Sequence, residues 1–328
     1  MPAPIRIAFL GCGFITGVHS RHMKALGGTF VCSYASRDRH KADDFCRRYG
    51  GAGVYDDYTS AISDPRVDAV VVAVPPSFHL DLTLEALRAG KHVLVEKPAF
   101  VRMEDYETVR AARDAAGRVV LVGENDHYKP LAVCLRRLLV EGVVGELVFA
   151  QFTTIVRRLK AGEDWRNDEA MAGGDAFFEE GIHWLHTAGS LGPVITGIHG
   201  YRPSLSREGD DGADTRAKSM LVAFRYDTGA VGVLLYSREV PSLLRGLRLS
   251  KLFGREGVIS FESNGTVVFV RGRGVPRVIF PGLRDIRGYE AMYRDFARVI
   301  DNGHPPEMSL ERAMDDHRLM DQIYASIG

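Results

Sequence analysis

Two groups of residues carry side chains suited to proton chemistry. The first is Glu96-Lys97-Pro98, a carboxylate and an ammonium ahead of a proline, directly after the apolar run Val93-Leu94-Val95. The second is Glu179, His183 and His186, at i, i+4 and i+7, which share one face of a helix. An imidazole titrates near neutrality, and a carboxylate one turn away orients its ring and raises its basicity. A His–carboxylate pair also binds zinc, but no further ligand cluster of suitable spacing is visible, so no metal is expected. The structural alternatives are a surface ion pair closing a strand at Glu96-Lys97, and groups merely satisfied at a domain junction on the helix. The surrounding elements must decide.

The run 93–95 reads as a buried strand closed by Pro98, which cannot donate to a ladder. Around it the pattern predicts six strands, at 5–10, 30–34, 54–55, 68–74, 93–95 and 119–122, separated by helical segments. Such alternation makes a doubly wound parallel (Rossmann) sheet of the α/β class, whose ligands bind beyond the carboxyl ends of the strands. The Gly11-Cys12-Gly13-Phe14-Ile15-Thr16-Gly17 turn, the loop at Pro75 and Glu96-Lys97-Pro98 all fall at that edge. Gly11 suits the tight turn, Gly13 lets a pyrophosphate approach the backbone, and Phe14 and Ile15 open the helix whose N-terminus faces it. The third glycine of the dinucleotide fingerprint is replaced by Thr16, with Gly17 next to it. The second strand leads to Ser36-Arg37, with no acid until Asp38. A hydroxyl and a guanidinium suit a ribose 2′-phosphate, so NADP is expected ahead of NAD, with NAD possible. His79, just inside the next helix, either meets the cofactor or packs in the first turn.

After residue 126 the alternation changes. Helix 129–141, strand 146–156, a loop with Trp165-Arg166 and helix 176–190 precede strands at 197–201, 218–226, 230–237, 246–253, 258–262 and 266–270. This pattern predicts an α+β domain with a largely antiparallel open sheet, one face exposed or covered by a partner copy. Helices at 288–300 and 310–327 end the chain. A dinucleotide-binding domain at 1–126 and a substrate-binding and oligomerisation domain at 127–328 are expected, with a homodimer or homotetramer formed through the sheet. Lys plus Arg and Asp plus Glu balance at 42 each in 328 residues, which gives no steering toward nucleic acid or anionic membrane. The four cysteines lack metal or disulfide spacing, and the first apolar run is too short for a signal or membrane segment. A cytoplasmic protein is expected.

Four segments resemble the Gfo/Idh/MocA family of sugar and cyclitol oxidoreductases: 11–19, Ala-Gly-Lys-His-Val-Leu-Val-Glu-Lys-Pro at 89–98, 173–186 and 313–326. The resemblance implies NAD(P)-dependent hydride transfer to or from a secondary alcohol or ketone of a sugar-like ring. It implies that Lys97 lies beside the nicotinamide and takes part in catalysis, that the peptide before Pro98 is cis, and that His183 of Gly181-x-His183 is the general acid/base, oriented by Glu179. Pro75, Ser36, Arg37, His79 and Glu96 are then candidate cofactor contacts, and Trp165, Arg166, His127, Tyr128 and His186 candidate substrate contacts. The sequence departs from the family at Glu179 and His186, where Asp is usual, and at His127, which replaces an arginine. A cofactor-binding sensor without turnover, and redox-assisted hydrolysis or elimination, are the alternatives that such folds allow.

Overall fold

The structure is a computed structural model describing residues 3–157, 165, 168–204, 218–242 and 247–327. It has two compact units, Met1–Glu124 with Tyr289–Met314, and Asn125–Gly288 with Asp315–Gly328. The division is thus not the two contiguous segments expected from the sequence, because 289–314 returns to the first unit.

In the first unit β1 (Ile5–Leu10), β2 (Phe30–Ala35), β3 (Gly53–Tyr55), β4 (Ala69–Val72), β5 (His92–Val95) and β6 (Val120–Val122) form one sheet. Their order is β3-β2-β1-β4-β5-β6 and every pairing is parallel. Helices α1 (Phe14–Met23), α2 (Arg39–Tyr49), α3 (Tyr58–Ser63), α4 (His79–Arg88) and α5 (Met103–Ala116) alternate with the strands. All four residues of β4 are fully buried, as a strand covered on both faces requires. The strand order reverses between β1 and β4, which opens the ligand crevice at their carboxyl ends.

The stretch ahead of β5 is scaffold. Gly90, at φ +72°, follows α4, and the buried Lys91 ammonium donates to the carbonyls of Asp64 and Val67 at 2.8 and 2.7 Å. His92 Nδ1 accepts the backbone N–H of Val119 at 3.2 Å. The returning segment carries α9 (Tyr289–Asn302), whose Tyr289, Tyr293 and Phe296 are buried. It also closes the β6 edge, where the Val122 N–H donates to the Met308 carbonyl.

The second unit is built on β7 (Leu147–Ile155), β8 (Ile195–Tyr201), β9 (Ser219–Tyr226), β10 (Val231–Ser237), β11 (Leu249–Gly254), β12 (Gly257–Glu262), β13 (Val268–Arg271) and β14 (Arg277–Ile279). Their order is β14-β13-β12-β11-β7-β10-β9-β8, antiparallel except for β7 with β10. Alternate residues point inward, so Val222, Leu234 and Phe152 align in register across three strands and are essentially inaccessible. Phe149, Phe269 and Val278 are about half exposed, at 54, 46 and 56%. Helices α6 (Pro130–Val140), α7 (Glu169–Ala172) and α8 (Ile182–Gly189) belong to this unit, and α10 (Leu310–Ser326) passes into it at Asp315. Among the described residues no helix is long and apolar enough to cross a membrane.

The His92 contact makes a pH prediction. Accepting an N–H requires the neutral ring, and burial, followed by the nearby Arg118 charge, pushes its pKa down. The unfolded chain, with its histidine near pH 6.5, then takes up a proton before the folded one does. This contribution to stability is complete above about pH 6.5 and is lost as the pH falls below it. Urea denaturation between about pH 7.5 and 5.5 should show a steeper loss for the wild type than for His92→Gln, by at most about 1.4 kcal/mol per pH unit. Equal slopes would contradict the assignment.

Candidate active site

The glycine turn after β1 has the form of an anion cradle. Gly11 has φ +108°, and a Cβ there would lie 2.6 Å from the Ala73 carbonyl oxygen, so only glycine fits beside the end of β4. Gly13 caps α1 without any side-chain hydrogen bond, and a Cβ on it would meet nothing within 4 Å. The first N–H groups of the helix therefore begin beside open space. Thr16, at the third fingerprint position, donates its hydroxyl to the Gly11 carbonyl at 2.7 Å, which pins the turn from inside. Phe14 is exposed, and Ile15 and Pro75 are half-buried at the same sheet edge. Beyond β2, Ser36 is buried with its Oγ accepting the Asp38 N–H at 3.1 Å. The exposed Arg37 guanidinium lies 5.8 Å from the centroid of the Phe78 ring. These residues fit a dinucleotide with its pyrophosphate on α1.

After β5 the chain places Glu96 inside and leaves Lys97 half-exposed. The Lys97–Pro98 peptide is cis. Two candidate cofactor contacts, Glu96 and His79, are buried among protein partners. Glu96 Oε1 is 2.7 Å from Nε2 of the fully buried His19, and a Cβ on Gly123 would lie 2.8 Å from that same oxygen. His79 is also fully buried, with Nε2 2.8 Å from the Val74 carbonyl and Nδ1 3.0 Å from those of Pro98 and Ala99. Burial is the largest influence on its pKa and pushes it down. Both side chains support the Lys97 segment from within the unit.

In the second unit the helix expected at 176–190 begins with a π-helical turn, Phe177–Gly181, before α8. The turn is opened by Asp175, whose Oδ1 accepts the N–H groups of Phe177 and Phe178. Gly181 is required because a Cβ would lie 2.5 Å from the Phe177 ring. The wider turn changes the angular spacing across Gly181 from that of a regular α-helix. Glu179 is buried, while His183 is half-buried. A carboxylate oxygen of Asp126 lies within 4.8 Å of a His183 ring nitrogen. Asp126 also pairs with Lys129 at 2.6 Å.

His186 and His127, expected to meet substrate, are instead buried and joined to each other. His186 Nδ1 is 2.7 Å from Asp316 Oδ2, and its Nε2 is 3.0 Å from His127 Nδ1. The ionised carboxylate accepts from Nδ1–H, which leaves Nε2 of the neutral ring to accept from His127 Nδ1–H. Both nitrogens of His186 are therefore used inside the unit. Tyr128 is buried too, its ring edge-on to His127. Trp165 is half-buried, whereas Arg166 lies outside the described residues.

Comparison with known proteins agrees with these two architectures. Residues 5–124 match the family profile described as an oxidoreductase family with an NAD-binding Rossmann fold, and residues 133–260 match the C-terminal domain of the same family. The chain belongs to the Gfo/Idh/MocA family. It is an oxidoreductase with an NAD-binding Rossmann domain. Among its relatives, a 4-carboxy-2-hydroxymuconate-6-semialdehyde dehydrogenase from Sphingobium is 23% identical over 97% of this chain and 98% of that protein. A scyllo-inositol 2-dehydrogenase (NAD(+)) from Bacillus subtilis is 24% identical over 93% and 89%. Levoglucosan dehydrogenase, solved with NADH and levoglucosan, shares the fold with a TM-score of 0.86 at 21% identity, covering 98% of this chain and 97% of that one.

Asp126 and Asp316 were not singled out from the sequence. Asp126 sits one residue before the His127-Tyr128 pair, so proximity to that motif was a usable signal. Asp316 is 130 residues from His186, and nothing local announces the pairing. The pairing predicts the effect of restoring the residue usual in the family. His186→Asp would set two buried carboxylates against each other and should destabilise the protein by about 3–5 kcal/mol, the range for stranding a buried charge. Adding Asp316→Asn should recover a large part of that loss in thermal or urea denaturation. Wild-type stability in His186→Asp would contradict the buried pair.

Proposed function

We propose that this Gfo/Idh/MocA oxidoreductase catalyses reversible hydride transfer between NADP(H) and a carbinol carbon of a sugar, cyclitol or related ring. The observation that carries this reading is the Gly11–Gly13 cradle at the same carboxyl edge of one sheet as Lys97. The scyllo-inositol and levoglucosan dehydrogenases among its relatives support the substrate class. Gly11, Gly13, Phe14, Ile15 and the start of α1 would hold the pyrophosphate, with Pro75 beside them. Ser36 and Arg37 would hold the 2′-phosphate, for which a forked guanidinium is well suited. When bound, the nicotinamide supplies or accepts the hydride.

The chain's own residues manage the proton and the charge. In the oxidative direction a ring nitrogen of His183 takes the hydroxyl proton and returns it in the reverse direction. The Lys97 ammonium stabilises the negative charge that grows on the substrate oxygen. Asp126, whose carboxylate lies within 4.8 Å of a His183 ring nitrogen, would orient that ring. Proton transfer of this kind is worth roughly 10²–10⁴-fold in rate. Trp165 is kept as a candidate for the ring's pocket. The half-exposed Phe149, Phe269 and Val278 support a second copy of the chain covering the open sheet. The free cysteines support a reducing, cytoplasmic setting.

An absorbance scan at the reduced-nicotinamide band tests the reading, with both cofactors across a panel that includes levoglucosan and scyllo-inositol. At least one polyol should be oxidised, with NADP favoured over NAD by roughly tens-fold to a hundred-fold, and Arg37→Ala should erase most of that preference. Lys97→Ala and His183→Ala should each lower turnover by at least about 10²-fold while NADPH binding is retained. Tighter binding of NADH than of NADPH, or near-wild-type turnover in either alanine variant, would overturn the corresponding part.

A further inference from the structure

The segment bearing Lys97 is gripped by two fully buried imidazoles. On one side, His19 of α1 reaches Glu96 through Nε2 at 2.7 Å and the Tyr293 hydroxyl through Nδ1 at 2.6 Å. An ionised carboxylate only accepts, so the shared proton belongs to Nε2, and Nδ1 of the neutral ring receives the tyrosine O–H. Burial holds the Tyr293 hydroxyl far toward its protonated form, as that donor role needs. The other carboxylate oxygen, Oε2, accepts the backbone N–H of Lys97 at 3.3 Å. The bonds thus run in one sense from Tyr293 and from the Lys97 backbone toward a single buried carboxylate. On the other side His79 meets the carbonyls of Pro98 and Ala99.

Every member of this chain sits where it cannot move freely. His19 is wedged edge-on against Phe9, Tyr289 and Tyr293, and Tyr293 in turn packs edge-on to Phe30. Gly123 makes room for the Glu96 carboxylate, since a Cβ there would lie 2.8 Å from Oε1. His19 and Tyr293 are 274 residues apart, yet together they fix the rotamer of the residue beside Lys97.

We propose that Tyr293 and His19 are positioning residues for Lys97, acting through Glu96, and that the returning helix α9 thereby sets the turnover of the enzyme. The proposal rests on the reading of Lys97 as the ammonium that meets the substrate oxygen. A displacement of about 1 Å at a reacting group costs up to roughly 10²-fold in rate, so loosening the grip acts on kcat. It leaves the pyrophosphate cradle at Gly11 and Gly13 in place, so the KM for the cofactor stays.

Tyr293→Phe removes a single hydroxyl without changing shape and is the first variant. With the panel polyol that the wild type oxidises fastest, kcat should fall about tenfold or more, with the KM for NADP within about twofold of wild type. His19→Gln, which keeps a donor for Glu96, should retain more turnover than His19→Leu. Hydrogen exchange should read faster amide exchange at Lys97 in Tyr293→Phe and little change across β4. The deciding comparison is the same substitution on a Lys97→Ala background, where Tyr293→Phe should cost almost nothing further. An equal loss on both backgrounds, or an unchanged kcat despite a lowered melting temperature, would overturn the positioning role alone. Near-wild-type turnover in Lys97→Ala would instead overturn the reading of Lys97, and this proposal with it.

Discussion

A carboxylate buried beside Lys97, the residue proposed to meet the substrate, is the constraint on which the first unit depends. Glu96 is 6% exposed, and a charge so placed is tolerated only when its oxygens are occupied by donors. Here the donors come from α1 through His19 and from the Lys97 backbone, with Tyr293 of α9 completing the first of them. Satisfying one charge therefore ties together the helix that opens the cofactor cradle, the strand end that presents Lys97, and a helix that returns from far along the chain. The same bonds that make burial tolerable restrict the segment that carries Lys97.

The second unit meets the problem in a similar way. Asp316 is buried, and His186 passes its demand for a donor on to His127. The two rings that the sequence offers as substrate contacts are joined to each other and to Asp316. What is left half-exposed on α8 is His183, the residue with a proton to give or take and with Asp126 close by. In both units a half-exposed candidate group, Lys97 or His183, stands next to a buried polar chain.

Much of this was legible because it rests on local chemistry. The parallel sheet shows in the continuous apolar run at β4 and the alternation of strands and helices. The cradle shows in Gly11 and Gly13 between a strand and a helix, and the antiparallel sheet shows in the period-two pattern of β9 and β10. What stayed hidden is non-local or turns on a single residue's worth of geometry. Tyr293 and Asp316 act across 274 and 130 positions, and no periodicity records such a partner. The return of 289–314 to the first unit is invisible for the same reason, since an amphipathic helix does not say which core it covers. The π-turn at Phe177–Gly181 interrupts the regular helix expected there, and no periodicity announces it. The burial of His79, His127 and His186 is likewise not legible, because a histidine's burial depends on what surrounds it and not on its neighbours in the chain.

The most direct test of the account follows the hydride itself. Reduced NADP carrying deuterium at both positions of the nicotinamide C4 is incubated with the enzyme and the ketone form of the polyol found in the panel, and the product is analysed by mass spectrometry. The account predicts one deuterium on the new carbinol carbon of the product, and its near-disappearance in Lys97→Ala and His183→Ala at equal enzyme concentration. A product that forms at the wild-type rate without deuterium, its new carbon-bound hydrogen taken from solvent, would contradict it.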